Sequence, residues 1–195
     1  MLPLILASGS IYRAKQLKSL GLEFSVVNSS VEESQLSGES PKSMALRLAQ
    51  LKALAVATKN FNTLVIGADQ VVVVDGVVLR KPGNYDGAVA QLKTQSGRKI
   101  TFYTACAIVS CTKNNRPIIR AEVTVAKVLF KEIADHQIHR YVSRDEPFNC
   151  AGSFKVESLG IALCETICCE DHTSLIGLTL LSVIRMLEHF DYELP

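Results

Sequence analysis

No stretch of this sequence stays apolar long enough to cross a membrane, since every hydrophobic run stops well short of the roughly 20 residues a bilayer requires. The run at Leu4–Ala7 is also far too short for the core of a secretory leader, which predicts a cytoplasmic protein. Charge of one sign is scarce. A formal net charge of +2 offers no basic surface, so neither nucleic acid nor a membrane is an expected partner, although clustered cations could still meet a small polyanion. Zinc spacing is missing too: the six cysteines (Cys106, Cys111, Cys150, Cys164, Cys168 and Cys169) form no Cys-x-x-Cys pair and read as reduced thiols. Internal repeats, low-complexity tracts, linkers, a Walker loop and a Rossmann glycine fingerprint are all absent.

What remains is the material of one compact enzyme-sized unit. The 195 residues, 48% hydrophobic and 21% charged, suffice for one substantial core, and a single α/β domain over 1–195 is expected. Its organising stretch is Thr63–Gln70. Leu64, Val65 and Ile66 run apolar into Gly67-Ala68 and stop at Asp69, as in a strand buried on both faces. Open α/β sheets place ligands at the carboxyl ends of such strands, which sets Asp69 at a rim. Asp69 is then either a functional acid or a strand-end turn residue. Val71–Val74, Asp75-Gly76 and Val77-Val78 next predict a hairpin with a two-residue turn.

Elsewhere, Leu4–Ala7 reads as a strand, Ser8-Gly9-Ser10 as a turn, and Ile11–Leu20 as a helix closed by Gly21. The free N–H groups at that helix start, with Ser8, Ser10 and Arg13, suit a phosphate; Ser10 as a plain N-cap and Arg13 as a solvated residue are the alternative. Leu22–Val27 resembles a strand, and 29–40 a polar loop carrying Glu33. Ser40-Pro41 opens a helix to about Thr58. On it, Ala45, Leu48, Ala49, Ala55 and Val56 share a face with Lys52, which therefore snorkels, pairs, or faces an anion. Lys81 is on a loop. A helix at Tyr85–Gln95, strands at Ile100–Cys111 and Ile118–Phe130 joined through Asn114-Asn115 and Pro117, and a helix at Ile133–Val142 follow, with His136 and His139 read as exposed. In 147–157, small residues precede Phe154, and Lys155 and Glu157 alternate about Val156 as if along a strand. Ile161–Ile167 is strand-like, Asp171–Ser174 a turn, and an amphipathic helix runs through Phe190.

Several of these features, taken in order, resemble the Maf family of nucleoside triphosphate pyrophosphatases. They are Ser8-Gly9-Ser10-Ile11-Tyr12-Arg13, Glu33, Arg47–Ala53 with Lys52, Gly67-Ala68-Asp69-Gln70, Lys81-Pro82, Cys150–Glu157 and Ile176-Gly177-Leu178. Gln70 and the Cys-Ala-Gly-Ser-Phe-Lys run further resemble the YceF-like branch, which acts on 7-methyl-GTP. Tyr12 stands where that branch tends to carry Trp, Ile11 where Pro is usual, Leu51 where Glu is usual, and Thr179 where Gly-Leu-Pro continues.

The resemblance implies a central mixed, twisted β-sheet flanked by helices, of the Maf/ITPase-like kind. It implies hydrolysis of a triphosphate between its α and β phosphates with a divalent cation, Mg²⁺ or Mn²⁺. Arg13, Lys52 and Lys81 would neutralise phosphate oxygens, Ser8 and Ser10 hold others, and Glu33 with Asp69 hold the metal, Asp69 also matching the family's proposed general base. Tyr12 and Phe154 would offer flat faces to the base and Gln70 an edge, or both rings simply pack. Lys155 and Glu157 either pair with each other or touch phosphate and metal. A preference for dTTP or UTP, and a non-catalytic nucleotide-binding regulator of cell division, are the competing functions. A homodimer is left open.

Overall fold

The computed structural model describes residues 2–113 and 116–194. In chain order it comprises β1 (Leu4–Leu6), α1 (Ile11–Lys18), β2 (Ser25–Val26), α2 (Pro41–Ala57), β3 (Leu64–Val74), β4 (Val77–Leu79), α3 (Tyr85–Gln95), β5 (Lys99–Ser110), β6 (Ile118–Phe130), α4 (Asp135–Asp145), β7 (Cys164–Cys168) and α5 (Leu180–Glu188). Short 3-10 turns lie at Pro147–Asn149, Ala151–Ser153, Leu159–Leu163 and His172–Leu175. The Asn114-Asn115 turn expected between β5 and β6 lies outside the described residues. Among the described residues no helix is long and apolar enough to cross a membrane.

Seven strands among the described residues form one sheet in the order β2-β1-β3-β5-β6-β7, with β4 beside β3. β1 is parallel to β2 and β3, and the remaining pairs are antiparallel, so the sheet is mixed. Alternation along β3 sorts its side chains between layers. Val65, Val71 and Val73 meet α2 on one face, while Ile66 and Ala68 meet α1 and α5, and Val72 and Val74 meet α3 and α4, on the other. The expected hairpin is present: Asp75 and Gly76 both take positive φ, 48° and 81°, as a primed turn requires.

The strand does not stop at Asp69, however. β3 runs on to Val74 because β5 pairs with it without a break from Leu64↔Ser110 to Val74↔Ile100. Its opposite edge is occupied differently: β1 covers Leu64–Ile66 and β4 covers Val72–Val74. Between them, Gly67 to Val71 face a gap in the sheet edge. Asp69 is thus a mid-strand residue beside a notch, not a residue at a strand end. Three smaller expectations also change. Leu22–Val27 shortens to β2. Ile161–Ile167 divides into the Leu159–Leu163 turn and β7, and Lys155-Val156-Glu157 is not strand. Gly160 is the cause, since its N–H donates to Lys155 O at 3.1 Å and a Cβ there would stand 2.4 Å from that oxygen, so the chain curls back on itself.

Gly67 sets the depth of α2. An added Cβ would lie 2.3 Å from Ala49 O and 2.6 Å from Ala53 N, so the helix backbone rests directly on the glycine. One turn of α2 then hangs over the notch with Lys52 on its underside.

Candidate functional site

A cleft of about 790 Å³ opens at this notch. Ser8–Arg13 form one wall, α2 and Glu33 another, β3 and the segment from β4 to Lys81 a third, and parts of 149–157 and Leu175–Gly177 the last. Because it passes through a gap in the sheet, the cleft is lined by Asp69 and by Gln70, neighbours that strand alternation points to opposite faces. Of the residues singled out from sequence, Ser8, Ser10, Tyr12, Arg13, Glu33, Lys52, Asp69, Gln70, Lys81, Phe154 and Glu157 all line it. Lys155 does not.

At the centre, the Lys52 ammonium lies 2.7 Å from Asp69 Oδ1 and 2.5 Å from Glu33 Oε1. Lys52 and Asp69 are each only 6% exposed, so Lys52 pairs rather than snorkels, as a cation on a buried helix face must. Partial burial pushes the Glu33 carboxyl upward, but its hydrogen bond to Lys52 and the charges of Lys52, Lys81 and Arg13 outweigh that and hold it below the ordinary range. It is ionised at neutral pH.

Arg13 fills the notch itself. Its Nε donates to Gly177 O at 2.8 Å and its Nη1 to Ala68 O at 2.9 Å and Ser8 Oγ at 3.3 Å, giving the unpaired edge of β3 a partner. Burial lowers its pKa from the usual arginine value, opposed by the charges of Asp69 and Glu33. Ser10 is the N-cap of α1, accepting from Arg13 N at 3.4 Å, and Ser8 Oγ accepts from Ser10 N at 3.2 Å. The planar fork is what spans three acceptors, and an ammonium cannot. Arg13→Lys is therefore expected to cost about 1–3 kcal/mol, the scale of leaving a buried acceptor unmet, seen as a lower urea midpoint at unchanged slope.

The opposite side of the cleft is less charged. Tyr12 is half-buried on the wall, with the Lys155 ammonium 6.0 Å from its ring centre. That ammonium donates to the main-chain oxygen of Asp145, and no Lys155–Glu157 ion pair forms among the described residues. Glu157 is exposed, yet the partial desolvation of its carboxyl by neighbouring chain raises it above the ordinary range, against its own backbone N–H and Lys155. For Phe154 the packing alternative holds and the free face that the resemblance implies does not: the ring is 4% exposed and packs at 5.7 Å from Phe102 and 5.2 Å from Phe130, so its faces belong to the core and it only borders the cleft. Of the two rings, Tyr12 alone remains open to a flat ligand.

Sequence reasoning missed several residues here. Arg80 and Asn28 also line the cleft, Arg80 being marked only by adjacency to Lys81, and so does Cys150, named in sequence only as the start of a motif. Gln70 is held by Thr104 and by the main-chain oxygen of Ser174, a contact with no side-chain signature. His139 is exposed, as the sequence suggests, but it stacks on Tyr85 and hydrogen-bonds its hydroxyl at 2.8 Å. Among the described residues no group of three or more His, Cys, Asp or Glu could hold a metal unaided. Glu33 and Asp69, which reach one common nitrogen, are the carboxylates placed to share a cation.

Residues 3–190 match the Maf family, described as Maf-like protein. The "7-methyl-GTP pyrophosphatase" of Saccharophagus degradans is 40% identical over 97% of this chain and 95% of its own. The protein of that name from Nitrosospira multiformis is 42% identical over 94% of this chain and 91% of its own, and that from Methylobacillus flagellatus 43% identical over 96% of each. Among solved structures, the Staphylococcus aureus Ham1 protein is 15% identical, with 95% of this chain and 99% of that one covered and a TM-score of 0.47, too loose a likeness to bear on the site. With the match spanning nearly the whole chain, and relatives of this identity at full coverage, the protein belongs to the Maf family.

Proposed function

We propose that this protein is a pyrophosphatase that hydrolyses the α–β phosphoanhydride of an N7-methylated guanosine triphosphate. Water adds at the α-phosphorus, the bridging bond breaks with its electrons on the leaving oxygen, and the products are the nucleoside monophosphate and pyrophosphate. The observation that carries this reading is the Lys52 ammonium held between Asp69 and Glu33 on the floor of a cleft that also contains Arg13 and Lys81. A triphosphate carries about four negative charges, and these cations, with Ser8 and Ser10, are the groups that neutralise and hold its oxygens. The names of the relatives support the methylated guanine.

A divalent cation fits the carboxylates present. Magnesium is commonly bound through one or two carboxylates with substrate phosphates and water completing the shell, and Glu33 with Asp69 would supply that pair. When bound, it lowers the pKa of a coordinated water and screens the phosphates. Asp69 orients the attacking water and accepts its proton. Lys52 leaves its carboxylates for the phosphate oxygens as the substrate enters. Tyr12 stacks on the base, where the charge added by N7 methylation gains about 0.5–2 kcal/mol of cation–π attraction. All six cysteines are free thiols, which supports a cytoplasmic location.

The test is pyrophosphate release with Mg²⁺ or Mn²⁺ over 7-methyl-GTP, GTP, dTTP, UTP and CTP. The expected result is release from both guanine nucleotides, fastest with 7-methyl-GTP. Binding without release from any nucleotide would favour a regulator and overturn the enzyme, and a preference for dTTP or UTP would overturn the base.

A further inference from the structure

Gln70 lines the cleft with its amide already committed. Its Nε2 donates to Ser174 O at 2.7 Å and to Thr104 Oγ1 at 3.0 Å, while Thr104 Oγ1 donates to Ser174 O at 2.8 Å. These donor and acceptor roles follow from chemistry. A main-chain carbonyl only accepts, so the Thr104 hydroxyl must spend its proton there, and the Gln70 atom facing both oxygens must be the nitrogen. Turned over, Gln70 would set Oε1 against two oxygens that have no proton left to give it, so Nε2 stays on this anchor. Thr104 and Ser174 are 0% exposed, so no water competes for these bonds. Ser174 is itself fixed: its hydroxyl donates to Asp171 O at 2.6 Å, while Asp171 accepts from Thr173 N at 2.8 Å and from Leu181 N at 3.0 Å. The anchor is a loop tied at both ends.

What is left of Gln70 is its carbonyl oxygen. Oε1 has no hydrogen-bond partner among the described residues, nor is it one of the buried unpaired atoms, so it meets open space, and the space beside Gln70 is the cleft. A loosely held glutamine can turn over and serve a donor or an acceptor on its ligand. Gln70 can only accept.

Resting on the function proposed above, we infer that Thr104 is a positioning residue that locks Gln70 as an acceptor for the exocyclic amine of guanine, making this pair a determinant of base choice. Guanine presents two adjacent donors on its Watson–Crick edge, N1–H and the exocyclic amine. Uracil and thymine place one donor between two acceptors, and cytosine and adenine set an acceptor beside their amine. An acceptor that cannot turn over rewards guanine and penalises a base whose carbonyl meets it.

The test pairs 7-methyl-GTP with 7-methyl-inosine triphosphate, which lacks only the exocyclic amine, both as α,β-methylene analogues that cannot be cleaved, with binding followed by calorimetry. Wild-type protein is expected to prefer the guanine analogue about tenfold, the value of one well-formed hydrogen bond. Gln70→Met should bring the ratio to within about twofold, Thr104→Val should bring it partway, and Thr104→Ser, which restores the hydroxyl, should return it. A purely structural role would weaken both ligands alike and leave the ratio unchanged, which would overturn the inference, as would equal binding of the two by wild-type protein. If wild-type protein releases no pyrophosphate, the enzyme reading falls, yet the binding ratio still decides the acceptor role. Failure of both analogues to bind would overturn both.

Discussion

Asp69→Asn is expected to lower pyrophosphate release at saturating 7-methyl-GTP by about 10²–10⁴-fold, the usual scale for losing a positioned general base, with a much smaller change in KM. The substitution keeps the side chain's shape and a carbonyl oxygen for the Lys52 ammonium, 2.7 Å away, but removes the charge. Carboxylates in general are weak bases toward water, so the role proposed for Asp69 has a second part, holding a cation that would acidify the water. Titrating Mn²⁺ against the variant separates the two parts: recovery at high metal reports the ligand, and a deficit that no metal concentration repairs reports the base. Stability should fall less than activity. Breaking a buried ion pair outright costs about 3–5 kcal/mol, but Glu33 stays on the ammonium, so about 1–3 kcal/mol is expected in urea denaturation. Full turnover by Asp69→Asn would remove Asp69 from the chemistry and leave the pair with Lys52 as a packing device.

The same centre shows which parts of the site a sequence can disclose. Lys52 was legible because helical periodicity alone sets it on the apolar face of α2, where an ammonium needs a partner. The partner's place was not. Gly67-Ala68-Asp69-Gln70 reads as the end of a strand because small and polar residues usually mark one, but continuation of β3 is decided by β5, whose matching stretch lies more than thirty residues away. The notch depends on where β1 stops and β4 begins, a matter of lengths and not residue types. Glu33 sits on a polar loop with no periodicity to mark it, and only the family resemblance picked it out. Phe154 and Tyr12 carry the same signal in sequence, yet one fills the core between Phe102 and Phe130 and the other borders the cleft. The lock on Gln70 runs through a main-chain oxygen, which every residue possesses. Alternation of Lys155 and Glu157 imitated a strand until Gly160 turned the chain.

Gly67→Ala is expected to have the largest effect of any single-methyl change near the site. In a strand, alanine would ordinarily be favoured over glycine by about 0.4–1 kcal/mol, because the unfolded chain loses freedom. The new Cβ would stand 2.3 Å from Ala49 O and 2.6 Å from Ala53 N, both backbone atoms of α2 that no rotamer change can move. Overpacking of this kind costs about 1–3 kcal/mol where side chains can adjust and more where they cannot, so the clash outweighs the entropic gain. Relief comes only by lifting α2 from the sheet, and the lift carries Lys52 away from Asp69. The urea midpoint and the rate of pyrophosphate release should therefore fall together. Ala53→Gly in the same chain removes a contact at 2.9 Å but leaves the two backbone contacts in place, so it should restore neither. A Gly67→Ala protein with wild-type midpoint and wild-type turnover would show that α2 does not rest on this glycine, and the placement of Lys52 would need another cause.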